Sequence, residues 1–393
     1  MSILVKSPFQ QSNAPDVSSK RSATTKVSIV PGGDVDGVYR FTLQNVNVAY
    51  ANALRRTIIT RIPINVIRTE NEELNQCHVE INTTRFHNEI LKQRLSCIPI
   101  HEKNLEILPG KYELDIDVSN DTDSIMYVTT EHFRIKNKET GNYCTKEETR
   151  RIFPEDPVTH CFVDFCRLRP KISDMIPGER IKLTADFSVA TAKANSMFNV
   201  VSKCTYMNTM DQDAVAKEWE RRQLELKNKY ETITQEELEF EKRNFELLDA
   251  QRFFVNDSFD FSIQSVGIYD NEELLKKACV ILQNKLVDMI QELISNSVPI
   301  LRSEVTMDHC YDVKLIDEDY TVGRILEYVI YQRFYLKDKS VTYCGFKKMH
   351  PHNDESILRI AFATHTEQEQ IRYVLKEACM ESQEVLKQMH ALF

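Results

Sequence analysis

The side chains that could do chemistry are abundant but scattered. Ten cysteines and ten histidines are enough for a metal site. Cys161 and Cys166 flank an apolar stretch beside His160, and His78 and His309 each neighbour a cysteine. A structural zinc site gathers four ligands from closely spaced Cys and His pairs, and no C-x-x-C pair occurs in the chain. Reduced thiols buried on strands and helices are therefore expected. Carboxylate pairs stand at Asp115/Asp117, Asp121/Asp123 and Asp211/Asp213. Such pairs bind Mg²⁺ or move protons when Gly, Lys or His supports them, but these sit in polar segments without that support and read as solvated surface charge. Only nine glycines are present, with no Walker-type loop, no G-x-G-x-x-G and no G-x-S-x-G elbow. No catalytic residue, no metal and no cofactor are expected.

One cationic cluster stands out. Arg55, Arg56 and Arg61 lie largely off an apolar stripe of Ala51, Leu54, Ile58, Ile59 and Ile62, whose helical spacing runs from Asn47 until Pro63 ends it. The cluster is either the exposed side of an amphipathic helix or a bidentate anchor for carboxylates of a partner protein.

The elements around that helix divide the chain. Residues 1–25 are too polar to repay their ordering entropy and read as a disordered tail. Pro31-Gly32-Gly33-Asp34 is turn chemistry, and Val38 to Leu43 alternates like a half-buried strand. From 68 to 195, strand-like runs separated by polar clusters suggest a distinct, mostly β module. Asp211 to Arg252 is dense in both charges, and Thr234 with Glu237 has the form of a capping box, so two helices are expected. Phe259 to Ile263 reads as a strand. Asn271 to Ser295 reads as a helix with Leu275, Cys279, Leu282, Leu286, Met289 and Leu293 on one face. The last hundred residues repeat the plan: a strand at Val313–Leu315, then a stripe of Val322, Ile325, Leu326, Val329, Ile330 and Phe334. A strand at Ile357–Phe362 follows, and a closing helix carries Ile371, Leu375, Ala378, Ser382, Val385 and Met389. Two long helices with matching apolar faces suggest that the halves pack on each other.

The formal charge of −9 argues against a wide nucleic-acid surface. No run is apolar enough to span a bilayer, and Met1 to Lys6 leads into a polar stretch rather than a secretory core, so an intracellular setting without membrane contact is expected.

The run Asn52-Ala53-Leu54-Arg55-Arg56-Thr57-Ile58-Ile59, then Ile62-Pro63, resembles the signature helix of the α-like assembly subunits of multisubunit RNA polymerases. These are the bacterial α subunit, the archaeal D subunit and the third-largest subunit of eukaryotic polymerase II. Val79 to Thr83, Glu89 to Leu91, Arg94-Leu95 and Ile98 to Ile100 are similar to the next family block. Leu168-Arg169-Pro170 and Gly178 to Thr184 resemble the one after, and Phe259 to Leu293 the closing strand and helix. Asp319-Tyr320-Thr321-Val322-Gly323-Arg324-Ile325-Leu326, Cys344-Gly345-Phe346 with His350-Pro351, and Leu358-Arg359-Ile360 resemble the smaller partner, the eleventh polymerase II subunit or archaeal L subunit. The chain departs from the family in three ways. Ala190, Ala192, Asn195, Ser196, Met197 and Phe198 stand where members carry Gly-rich spacing before His-Ala-Lys-Trp. No counterpart of the family's zinc or iron–sulfur cysteines is present. Two chains that are normally separate are covalently joined, an arrangement similar to that in large cytoplasmic DNA viruses.

The resemblance implies an α+β fold in which two fused halves form a pseudo-heterodimer. The N-terminal dimerisation module spans 26–67 and 196–297, with the charged helical insertion at 211–252. The β-rich domain spans 68–195, and the C-terminal module spans 298–393. The implied function is a non-catalytic assembly platform that binds the second-largest polymerase subunit, then the largest and the small subunits, with little or no direct nucleic-acid contact. The implied setting is the virion and the cytoplasm of an infected host. Asn52, Leu54, Arg55 and Arg56 are the implied assembly contacts. Leu275, Leu282, Leu286, Leu293, Ile325, Leu326, Ile371, Leu375, Val385 and Met389 are the implied intramolecular dimerisation residues. The alternatives from other classes are a stand-alone metal- or nucleotide-dependent enzyme and a helical adaptor.

Overall fold

The computed structural model describes residues 26–173, 175–229, 234–304 and 307–393. The tail expected over 1–25 lies outside them. The chain opens with the hairpin β1 (Ser28–Val35) and β2 (Val38–Gln44), followed by α1 (Val48–Thr60). Pro31 to Asp34 is not the turn its composition suggests. It lies within β1, where the register shifts between Pro31 and Gly33, and the reversal falls on Asp36-Gly37, both at positive φ. Asp-Gly is the pair that a two-residue hairpin of this hand requires.

The chain then leaves this unit through β3 (Ile64–Val66) and returns through β10 (Ser188–Ala190), and these two strands pair antiparallel. Between them lie β4 (Cys77–Asn82), α2 (Asn88–Ser96), β5 (Tyr112–Ser119), β6 (Met126–Thr129), β7 (Arg134–Asn137), α3 (Lys146–Ile152), β8 (Asp164–Leu168) and β9 (Arg180–Asp186). A sheet of order β4-β9-β5-β7 and the pair β6-β8 enclose a hydrophobic cluster of their own, running from Ile67 to Phe187. Ala190 falls on the β side of the boundary expected from the sequence, but it packs in the other core. Asp115 and Asp117 are not merely solvated. Asp115 accepts from Arg134 at 2.9 Å and from the Tyr143 hydroxyl at 2.7 Å, while Arg180 grips Asp117 bidentately at 2.9 and 2.8 Å.

Beyond this insertion come β11 (Val201–Met210), α4 (Gln212–Lys229), α5 (Gln235–Leu247), β12 (Phe254–Ser265) and α6 (Asn271–Ile294). The Asp211 carboxylate accepts from Ala214 N–H in the first turn of α4, and Thr234 with Glu237 forms the capping box of α5. The helical excursion closes where Met210 pairs with Phe254, and Trp219 packs on Phe245 with ring centroids 5.6 Å apart. Helix α6 buries the stripe that its periodicity announces and places Glu272 and Glu273 against its positive end. Asn296 at positive φ terminates it, with Ser297 N–H donating back to Glu292 C=O, a Schellman closure with Asn in place of Gly.

The final unit is β13 (Ile300–Arg302), β14 (Cys310–Ile316), α7 (Tyr320–Ile330), β15 (Val341–Lys347), β16 (Glu355–Phe362) and α8 (Gln368–Leu392), with a π-helical turn at Tyr331–Lys337. Its sheet order, β13-β14-β16-β15, repeats β1-β2-β12-β11 strand for strand. The helices correspond as well. With the N-cap Asn47 superposed on the N-cap Asp319, the buried positions Tyr50, Ala51, Ala53, Leu54, Thr57 and Ile58 fall on Val322, Gly323, Ile325, Leu326, Val329 and Ile330. The two units are related by a pseudo-twofold. Helix α1 packs against α7 and α6 against α8, and a single hydrophobic cluster runs through both units.

Candidate functional site

Helix α1 begins where Asn47 caps Ala49 N–H at 3.0 Å, and it ends where Arg61 N–H meets Thr57 C=O and Pro63 forbids another turn. Of its apolar stripe, Ala51, Leu54, Ile58 and Ile62 are buried and Ile59 is partly buried. Leu54, expected among the assembly contacts, is 0% exposed and anchors the helix in the core. Asn52 and Arg55 lie one turn apart on the other face, with Asn52 Oδ1 accepting from Arg55 Nε at 3.3 Å and Nη2 at 3.0 Å. Burial raises the Tyr206 hydroxyl of β11, and the nearby Arg55 charge pulls against it.

Arg56, expected to be directed outward to a partner, is engaged within the chain, with its side chain 34% exposed. Its Nη2 donates to Asp319 Oδ2 at 2.8 Å and its Nε to the Thr321 hydroxyl at 2.9 Å, joining α1 to the start of α7. Arg61 approaches the same carboxylate at 3.9 Å. Asp319 also caps α7 by accepting from Thr321 N–H at 2.8 Å. Burial alone would raise the Asp319 carboxyl. The hydrogen bonds from Thr321 and the Arg56 charge outweigh it and hold the group at about 2.

The two preceding residues are engaged in the same way. Glu318 pairs with Lys285 of α6, and Asp317 lies 3.5 Å from Lys193, just beyond β10. Burial pushes the Lys285 ammonium down, against the pull of Glu318. Three consecutive acids of the C-terminal unit thus face four cations of the N-terminal unit. Reading the sequence missed this clasp. The signal was the run Asp317-Glu318-Asp319 at a helix start, and its meaning depends on cations brought from three distant segments.

The expected dimerisation residues come together. Leu275, Leu282, Leu286 and Leu293 of α6, Ile325 and Leu326 of α7, and Ile371, Leu375 and Met389 of α8 are buried in the shared cluster, with Val385 partly buried at its margin. Tyr50 of α1 and Tyr328 of α7 meet edge to face at 6.2 Å.

Beside the Asn52–Arg55 pair, a cavity of about 420 Å³ opens between α1 and α7, lined by Val48, Asn52, Tyr206, Arg324, Tyr328 and Tyr331 among others. Val48 and Tyr331 are exposed at its rim, 48% and 41%. No three His, Cys, Asp or Glu residues stand together as a metal-ligand set among the described residues. The ten cysteines are free thiols. No helix among the described residues is long and apolar enough to cross a membrane.

Residues 40–286 match the RNA polymerase Rpb3/Rpb11 dimerisation domain, and residues 310–391 match a second form of the same domain. The chain belongs to the RNA polymerase Rpb3/Rpb11 dimerisation-domain family. The matched segments fall on the two units related by the pseudo-twofold, so one chain carries a fused pair of α-like dimerisation domains in an α+β fold. Among curated proteins it is similar to subunit 3 of DNA-directed RNA polymerases II, IV and V of Arabidopsis thaliana, 23% identical over 187 residues. That alignment covers 45% of this chain and 55% of the relative, so it spans about half of each.

Proposed function

We propose that this chain is the non-catalytic assembly platform of a multisubunit DNA-directed RNA polymerase, and that the outer face of α1 receives the second-largest subunit. The observation that carries the reading is that the two dimerisation domains pair with each other inside one chain. Their apolar helix faces are consumed in the shared core, which leaves the half-buried Asn52–Arg55 pair beside an open cavity on the other face of α1. A planar, permanently charged guanidinium held by Asn52 suits a carboxylate or backbone carbonyl of a partner, and the cavity suits an apolar anchor beside it. The largest subunit and the small subunits follow in this scheme, and the net charge of −9 supports little or no direct grip on nucleic acid. The fusion of two units supports a viral polymerase, carried in the virion and active in host cytoplasm.

Purifying the tagged chain from its natural source and identifying what co-purifies tests the proposal. The two largest polymerase subunits should be recovered in stoichiometric amounts. Recovery of the chain alone, or with unrelated proteins, contradicts it.

A further inference from the structure

The shared plan of the two units raises a problem of pairing. Both have the same strand order, the same buried positions on α1 and α7, and a left-handed residue two positions before the helix cap, Asn45 at φ 61° and Asp317 at φ 57°. Apolar packing by itself does little to tell one such unit from the other. Two N-terminal units from different chains, or two C-terminal units, present surfaces of the same kind.

The charges at equivalent positions are not alike. Where the C-terminal unit has Asp317-Glu318-Asp319, the N-terminal unit has Asn45-Val46-Asn47. Where α1 carries Arg56, α7 carries Tyr328. We infer that the acidic triad and its cations are the specificity determinants that pair the N-terminal unit with the C-terminal unit and reject like-with-like pairing. This goes beyond a platform role and holds whichever subunits the chain assembles. In a pair of N-terminal units, Arg56 and Arg61 would meet no carboxylate at the facing helix start. In a pair of C-terminal units, the triad would meet Tyr328 and Arg333, and Arg333 is already held by Glu377 at 2.8 Å and Glu381 at 3.7 Å of its own unit. The inner contacts decide the matter. The side chains of Arg61, Lys285 and Glu318 are 10%, 21% and 12% exposed, so a lost partner there strands a poorly hydrated charge. The outer Lys193–Asp317 contact is mostly solvated and adds little.

A protease site inserted after Asn296 lets the folded full-length chain be cut once between the units. Native mass spectrometry of the cut protein, on dilution, then reads which units remain paired. The wild type should give only the mixed pair. The variant Asp317→Asn/Glu318→Gln/Asp319→Asn keeps the shapes and the cap acceptor but removes the charge. It should hold the mixed pair about tenfold or more weakly and show like-with-like pairs. Arg56→Gln with Arg61→Gln, from the other side of the clasp, should do the same. Melting of the uncut variants is the control for folding. They should melt lower than wild type yet stay folded, because the covalent link keeps the units together, and a change of partner appears only after the cut. Mixed pairs alone, with no like-with-like pair in either folded variant, overturn the inference.

Discussion

Arg56 and Asp319 are 263 residues apart in the chain and 2.8 Å apart in the fold. The contact ties the first helix of one dimerisation domain to the first helix of the other, and it separates two adjacent arginines by role. Arg55 is half-buried and held by Asn52 of its own helix, whereas Arg56 joins the two units.

The state of Asp319 makes the clasp sensitive to acid. Its folded value of about 2 lies below the ordinary carboxylate value of about 3.9, so its contribution is present above about pH 4 and is lost as pH falls through about 2. Allowing for partial solvent screening, that contribution is about 1–2 kcal/mol. Asp319→Asn should lower stability at neutral pH by this amount and flatten the acid limb of the stability curve. Denaturant melts from pH 2 to pH 7 check it, and an acid limb as steep as wild type would count against the assignment.

Gly323 sets how closely α7 approaches its sheet. A Cβ there would lie 2.1 Å from the ring of Phe346, which is itself buried. Alanine gains about 1 kcal/mol in helix propensity, but overpacking a fixed ring costs about 1–3 kcal/mol. Gly323→Ala should therefore destabilise the chain, and Phe346→Leu in the same chain should restore part of the loss. A higher melting temperature for Gly323→Ala alone would show that the ring yields.

Leu282 and Leu286 are each 1% exposed where α6 packs on α8. Replacing both by Asp buries two unpaired carboxylates, each costing several kcal/mol. Unfolding or aggregation is the expected result, read by thermal melting and solution mass. An unchanged melt would mean that the interface opens at little cost.

How much of this was legible in the sequence follows from how local each signal is. The stripes on α1, α6, α7 and α8 were readable because helical periodicity is written in consecutive residues, and the Thr234 capping box was readable for the same reason. Strand β11 was not, since only Val201 and Cys204 of its ten residues are buried and its alternation is weak. The short strand β13 and strand β15 likewise lacked a clear period. The turn was misplaced because Gly32-Gly33 looked like a reversal and serves a bulge, while Asp36-Gly37 carried the stronger hairpin signal. At the candidate site, the asymmetry between Arg55 and Arg56 could not be read from neighbours in sequence. It depends on Asp319, which reaches α1 only through the pairing of the two units.

That asymmetry gives the account its most direct test. Arg55→Glu and Arg56→Ala are compared with wild type in a pull-down of the second-largest polymerase subunit, with circular dichroism and melting of each chain alongside. Arg55→Glu should melt like wild type and lose capture by at least about tenfold, as truncating one side of a desolvated charged contact costs about 2–5 kcal/mol. Arg56→Ala should lose stability first and capture only as a consequence. A folded Arg55→Glu chain that captures the subunit as well as wild type would contradict the assignment of this face to assembly.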